Sequence, residues 1–308
     1  MDLATAGVIA FFVVSGFLVT RSAYQSKSTF GFVMARALRV WPALVAASAV
    51  TAIVIGPMVT SLTLREYFGS IAPWRYVLLV STLDVGQSLP GVFPNNPLAH
   101  AVNGSLWTLQ VETFLYGVTA LVLAVGILRH RVLCTLLVIG AALVIVQMPE
   151  VVLPWIPRHD APMTPRLMLA YGLGVLGYLH RKAVPLSLWV ALLLVVGTIW
   201  CWETRFFSLA FYATSAYLVL YIGLLQLDSI TRAMGGTDLS YGIYIYSFPV
   251  QQALVSLFHI DRPFVLAAFT FPIVSVLALA SWRLIERPAL RLKEFLRNIA
   301  GRHPVYMR

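Results

Sequence analysis

The chain has 308 residues, 59% of them hydrophobic and only 11% charged, with a mean hydropathy of +0.84. Soluble domains carry about a quarter charged residues, and a compact surface of this size has to meet water over much of its area. A water-soluble globule is therefore excluded, and lipid is the solvent for most of the side chains. The net charge of +10 does not indicate a nucleic-acid partner, because Lys and Arg stand in short clusters between apolar runs and not on one basic face.

About 20 apolar residues in a helix cross a bilayer core, and nine such windows follow one another, near 5–20, 39–58, 105–128, 132–150, 166–180, 185–202, 206–226, 239–259 and 264–285. They predict an all-α fold, a polytopic transmembrane bundle forming one membrane-embedded domain over residues 1–308. The first window has no basic segment before it and no small-residue cleavage site after it, so it reads as a retained span. It closes on Ser15-Gly16-Phe17, a small pair that allows close helix approach.

Before the second window stand Arg36 and Arg39, three residues apart. On a helix their guanidinium groups point the same way, a paired fork that suits phosphate oxygens, although arginines at a cytoplasmic helix end are also ordinary topology signals. The shorter run near Trp74 to Val85 reads as an interfacial or re-entrant piece.

The third window holds an ionisable side chain where charge is costly, Glu112. Ser105, Thr108, Glu112 and Tyr116 follow i, i+3, i+4 spacing and share one helix face, beside Trp107. Such a stripe lines either a wet cavity or a helix–helix hydrogen-bond network. Near the other end, Tyr244 and Ser247 lie one turn apart in a window broken by Pro249, which leaves a backbone carbonyl for some neighbour to satisfy.

Sixteen of the 22 Lys and Arg residues fall on one side of this map, which places the C-terminal tail and the 21–38 loop in the cytoplasm. The same alternation puts Met1 outside and so asks for one further span before it. Cys134 and Cys201 fall near opposite faces, which argues against a disulfide, and no metal-ligand spacing occurs. None of the six histidines sits deep in a window, so no general base is assigned.

The Gly7-Val8-Ile9-Ala10-Phe11-Phe12 run leading to Ser15-Gly16, Arg36-x-x-Arg39-x-x-Pro42, Asn103-Gly104-Ser105-Leu106-Trp107 with Glu112, Leu239-Ser240-Tyr241-Gly242-Ile243-Tyr244 and Ile285-Glu286-Arg287-Pro288 together resemble the acyltransferase-3 family of bacterial membrane proteins. The resemblance implies transfer of an acyl group, usually acetyl, from cytoplasmic acyl-CoA (acetyl-CoA) to a hydroxyl of a carbohydrate or similar acceptor at the inner membrane. It implies that Arg36 and Arg39 bind the coenzyme's phosphates, that Glu112 is catalytic, and that Ser15, Trp107 and Tyr244 line the reaction channel; Ser247, one turn from Tyr244, is grouped with them as substrate-binding. It also implies an additional first helix bearing a histidine base, whose absence here raises the expectation of an internal start or an inactive truncated product. The competing reading is a secondary transporter of a lipid-linked sugar or organic ion, which would share the polar stripe and the broken helix but should show two matching halves.

Overall fold

The computed structural model describes residues 3–148, 163–204, 206–224 and 237–292. The long helices are α1 (Leu3–Gln25), α2 (Thr29–Val50), α6 (Trp107–Ala124), α7 (Arg131–Gln147), α8 (Thr164–Leu179), α9 (Leu188–Trp200), α10 (Phe207–Leu224), α11 (Ser240–Phe258) and α12 (Pro263–Ser281), with three short ones after α2, namely α3 (Gly56–Val59), α4 (Leu64–Gly69) and α5 (Ala72–Ser81). Among the described residues there is no strand, only an isolated bridge between Thr60 and Val92. Each of the nine expected windows contains a helix, and five helical stretches are long and apolar enough to cross a membrane. The protein is a multi-pass membrane protein with an all-α fold.

Boundaries differ from the windows where hydropathy and helicity part. α2 begins at Thr29, ten residues before its window, because a helix needs backbone geometry and not apolar side chains; Ser28 Oγ accepts from Gly31 N and starts the turn. Arg36 and Arg39 therefore lie inside the helix. α6 stops at Ala124, short of its window, because Gly126 takes a left-handed φ of +79°. α5 has ten residues, a rise of about 15 Å, too short to cross. The expected C-terminal tail lies outside the described residues.

The chain forms two compact units, each discontinuous: Met1–Val33 with Gln110–Ala233, and Met34–Leu109 with Met234–Arg308. α6 is shared, its first turn belonging to the second unit and the rest to the first.

In the first unit the most extensive contact is between α1 and α8. Two glycines permit it. A Cβ on Gly16 would lie 2.1 Å from Tyr171 O, and one on Gly174 would lie 2.1 Å from Val13 O, so the two backbones touch. Thr119 Oγ1 and Tyr171 Oη, 2.7 Å apart, then pin α6 to α8. Gly174→Ala should cost about 1–3 kcal/mol through forced separation of the backbones and lower the thermal midpoint of the detergent-solubilised protein. Gly117→Ala, where an added Cβ meets nothing within 4 Å, should leave the midpoint unchanged.

In the second unit α2 continues through a π-turn, Thr51–Ile55, into α3. Gly56 N bonds Thr51 O in the π register, so the next carbonyl, Ala52 O, would need an N–H from residue 57, which is Pro57. Tyr67 supplies the missing donor, its hydroxyl 2.8 Å from Ala52 O, in a space that only the bare Cα of Gly56 leaves open. The chain between α5 and α6 is long but anchored: Ser61 N donates to Gly91 O, Thr60 Oγ1 to Pro90 O, and Phe93 is fully buried.

Candidate active site

The first-unit cluster centres on Glu112, in the second turn of α6 and only 6% exposed. Its Oε1 accepts from Ser15 Oγ of α1 at 3.1 Å and from the Tyr116 hydroxyl one turn along its own helix. Ser15 is itself buried, 7% exposed, and sits beside the Gly16 contact that seats α1 on α8. The small-residue pair read from the sequence thus has both roles: Gly16 brings the backbones together, and Ser15 turns its hydroxyl to the carboxylate. A buried carboxylate with two hydroxyl donors can hold and polarise O–H groups, which is the elementary requirement of proton transfer at an alcohol.

The second unit contains two polar groupings on α11. Near its start, Arg39 of α2 bonds Asp238 (Nη2 to Oδ2, 2.7 Å), approaches Glu286 (Nη1 to Oε2, 3.6 Å), and lies over the Tyr241 ring with 5.7 Å to the centroid. Tyr241 Oη donates to Val40 O at 3.0 Å, and Ser281 Oγ donates to Glu286 Oε1 at 3.1 Å. One guanidinium thereby joins α2 to the start of α11 and to the end of the last span. Glu286 is 2% exposed; stripping Arg39 of charge would strand it without its counter-ion, a loss of about 3–5 kcal/mol for a buried pair.

Asp238 lies before α11, outside the spans. Burial pushes its carboxyl up, but the Arg39 charge and hydrogen bonds from Ser240 outweigh this and hold it below the ordinary value of 3.8. A carboxylate with a depressed folded-state pKa stabilises above its unfolded pKa, and that contribution is lost as pH falls through the lower folded value. The Arg39 link should therefore persist from neutral pH to pH 5. In acid titration followed by intrinsic fluorescence, wild type should lose stability below pH 4, and Asp238→Asn should flatten that limb.

Farther along α11, Tyr244 donates to Ser105 O, and its hydroxyl oxygen is in hydrogen-bond contact with that of Thr108. Pro249 has no N–H for Ile245 O, and Asn103 Nδ2 takes that place at 2.9 Å. Ser105 Oγ donates to Asn103 Oδ1 at 2.8 Å. Beyond the proline, Gln252 Nε2 donates to Leu98 O and Ala101 O, both at 2.8 Å, while Asn96 Nδ2 donates to Gln252 O and Oε1. The loop before α6 is thus stitched to α11 at the carbonyl that the proline releases.

The sequence-predicted residues fall out as follows. Ser15 and Glu112 meet, with Tyr116 from the same stripe. Tyr244 meets Ser105 and Thr108, the other end of that stripe, whereas Ser247 Oγ donates to Ile243 O of its own helix at 2.5 Å. Trp107, half-buried, opens α6, and Arg36 lies half-buried one turn before Arg39. The described histidines, His100, His130, His180 and His259, are exposed at helix ends or in loops. Sequence reasoning missed the partners of Arg39. Glu286 stands one residue past the last apolar window and between Arg283 and Arg287, so the criterion that found Glu112 does not mark it. Asn96 and Gln252 leave no comparable signal.

Residues 2–284 match the family described as Acyltransferase domain. Among characterised proteins, the chain is 29% identical over 288 residues to an O-acetyl transferase of Shigella phage Sf6, covering 91% of this chain and 83% of that protein. It is 29% identical over 320 aligned positions to Nodulation protein 10 of Rhizobium leguminosarum bv. viciae, covering 94% and 83%. No solved structure matches significantly. A match over nearly the whole chain leaves the transporter reading without support: this protein is an acyltransferase enzyme and belongs to the acyltransferase-3 family.

Proposed function

We propose that the enzyme moves an acetyl or other short acyl group from acyl-CoA, taken up on the cytoplasmic side of the inner membrane, to a hydroxyl of a glycan or similar acceptor, with the C-terminus cytoplasmic. The observation that carries this reading is the burial of Glu112 in an apolar helix with two hydroxyl groups donating to one of its oxygens. The name of the phage relative, an O-acetyl transferase, supports acetyl as the group and oxygen as the acceptor atom, and the biased distribution of Lys and Arg supports the orientation.

In the proposed reaction the acceptor oxygen attacks the thioester carbonyl, its proton passes to a base, the C–S bond breaks, and the thiolate leaves as coenzyme A thiol on protonation. Glu112, with Ser15 and Tyr116 ordered around it, orients and polarises the acceptor hydroxyl. Trp107, Tyr244 and Ser247 contribute to the substrate path. Arg36 and Arg39 receive donor phosphates, with Arg39 exchanging part of its bonding from Asp238 to phosphate. The test is thiol release from acetyl-CoA by membranes containing the protein, together with mass analysis of surface glycans from a deletion strain. Release above that of empty membranes and one lost ester support the reading; neither, from inserted protein, overturns it.

A further inference from the structure

The first unit contains a cleft that the Glu112 cluster does not use. It has a volume of about 400 Å³ and lies where the α1–α2 turn meets the end of α6; Tyr24, Lys27, Ser28, Thr29 and Arg129 are among its lining residues. That volume is in the range of small-molecule sites.

Two observations point to one ligand chemistry. Lys27 and Arg129 both line the cleft, and among the described residues no carboxylate lies within ion-pair distance of either. Ser28 Oγ accepts from Gly31 N, which leaves its hydrogen to give, whereas the Ser26 hydroxyl is spent on Ser22 O. The cleft thus offers two cations and the Ser28 hydroxyl, and no carboxylate among the described residues that line it. The bias that gathers basic residues on one membrane face explains why cations occur at this end; it does not require them to converge on a concavity beside a hydroxyl with a hydrogen to give.

We propose that this cleft binds a phosphate group, through charge-assisted bonds from Lys27 and Arg129 and a hydroxyl bond from Ser28. The phosphate belongs either to the nucleotide end of the acyl donor or to an anionic phospholipid headgroup. The donor source rests on the acyl-CoA reading above, and the lipid source does not.

The experiment uses the full chain in phosphatidylcholine nanodiscs and reads binding, so that it does not depend on turnover. Adenosine 3′,5′-bisphosphate, which carries phosphates of the kind found on coenzyme A, is titrated by thermophoresis. Retention of phosphatidylglycerol is read by native mass spectrometry. In Lys27→Gln/Arg129→Gln one of the two should weaken by about tenfold or more. Weakened bisphosphate binding with phosphatidylglycerol retained identifies the donor source, and the reverse identifies the lipid. Should the double variant not fold, labelling of Lys27 in the wild type by an amine-reactive ester gives the same answer, since the true ligand protects that amine. Unchanged binding of both probes in a folded variant, or no protection of Lys27 by either, overturns the proposal. Absence of thiol release with intact protection of Lys27 by phosphatidylglycerol would sink the acyl-CoA reading and leave this one standing.

Discussion

Glu112→Gln should insert and fold like the wild type and lose acyl transfer by about 10²–10⁴-fold in kcat. The amide keeps an oxygen to accept the Ser15 hydroxyl at its 3.1 Å distance and the Tyr116 hydroxyl beside it, so the packing among α1, α6 and the side chains around them is preserved. What disappears is the negative charge, and with it the capacity to draw a proton or to stabilise positive character on a neighbouring base. An unchanged thermal midpoint with kcat at the background level assigns Glu112 to the chemistry. A fall in midpoint of many degrees with kcat retained would show that its role is to hold helices together. Ser15→Ala separates the two further, because it removes one donor from the carboxylate without altering charge, and a smaller loss, about tenfold, is expected from the more modest worth of a single hydrogen bond to a charged group.

How far the sequence foretells this arrangement depends on the kind of interaction. Hydropathy places the helices because each must bury its own backbone polar groups in lipid and carry about 20 apolar side chains. It marks Glu112 because a carboxylate in such a run is expensive and needs a reason. It does not say which helix meets which: α1 and α8 present apolar surface to lipid and to each other alike, and only the bare Cα atoms of Gly16 and Gly174 mark their contact. Arg39 and Asp238 are 199 positions apart, and Glu286 stands between Arg283 and Arg287, where a count of basic residues reads the segment as a membrane-face signal and overlooks the acid. The two arginines drew attention as a phosphate fork because spacing reveals direction but not occupancy, and Arg39 proves to have two carboxylates about it already. Pro249 announced an orphaned carbonyl; the side chain that satisfies it lay in a loop, where no periodicity reports.

That side chain supplies the second large effect. Asn103→Ala leaves Ile245 O without its donor on a helix interior, at about 1–3 kcal/mol, and removes the acceptor for Ser105 Oγ. Both bonds hold the 3₁₀ turn Gly104–Leu106 that leads into α6, and α6 carries Glu112 in its second turn. A displaced helix start misplaces the carboxylate, so kcat should fall about 100-fold, the loss expected of a misplacement near 1 Å. The decisive measurement is the second substitution. Pro249→Ala restores an N–H four residues after Ile245, able to pair with the orphaned carbonyl inside α11. In Asn103→Ala/Pro249→Ala the thermal midpoint should recover most of its loss, because the buried carbonyl is again satisfied. Activity should recover little, because the restored bond lies within α11 and does not tie the start of α6 to it. Pro249→Ala alone should be nearly silent in both, since a carbonyl oxygen has two lone pairs and can accept from the amide and from Asn103 together. If the double variant regains full kcat, the asparagine serves only to satisfy the proline-released carbonyl, and the position of α6 is fixed by the Tyr244, Ser105 and Thr108 contacts instead.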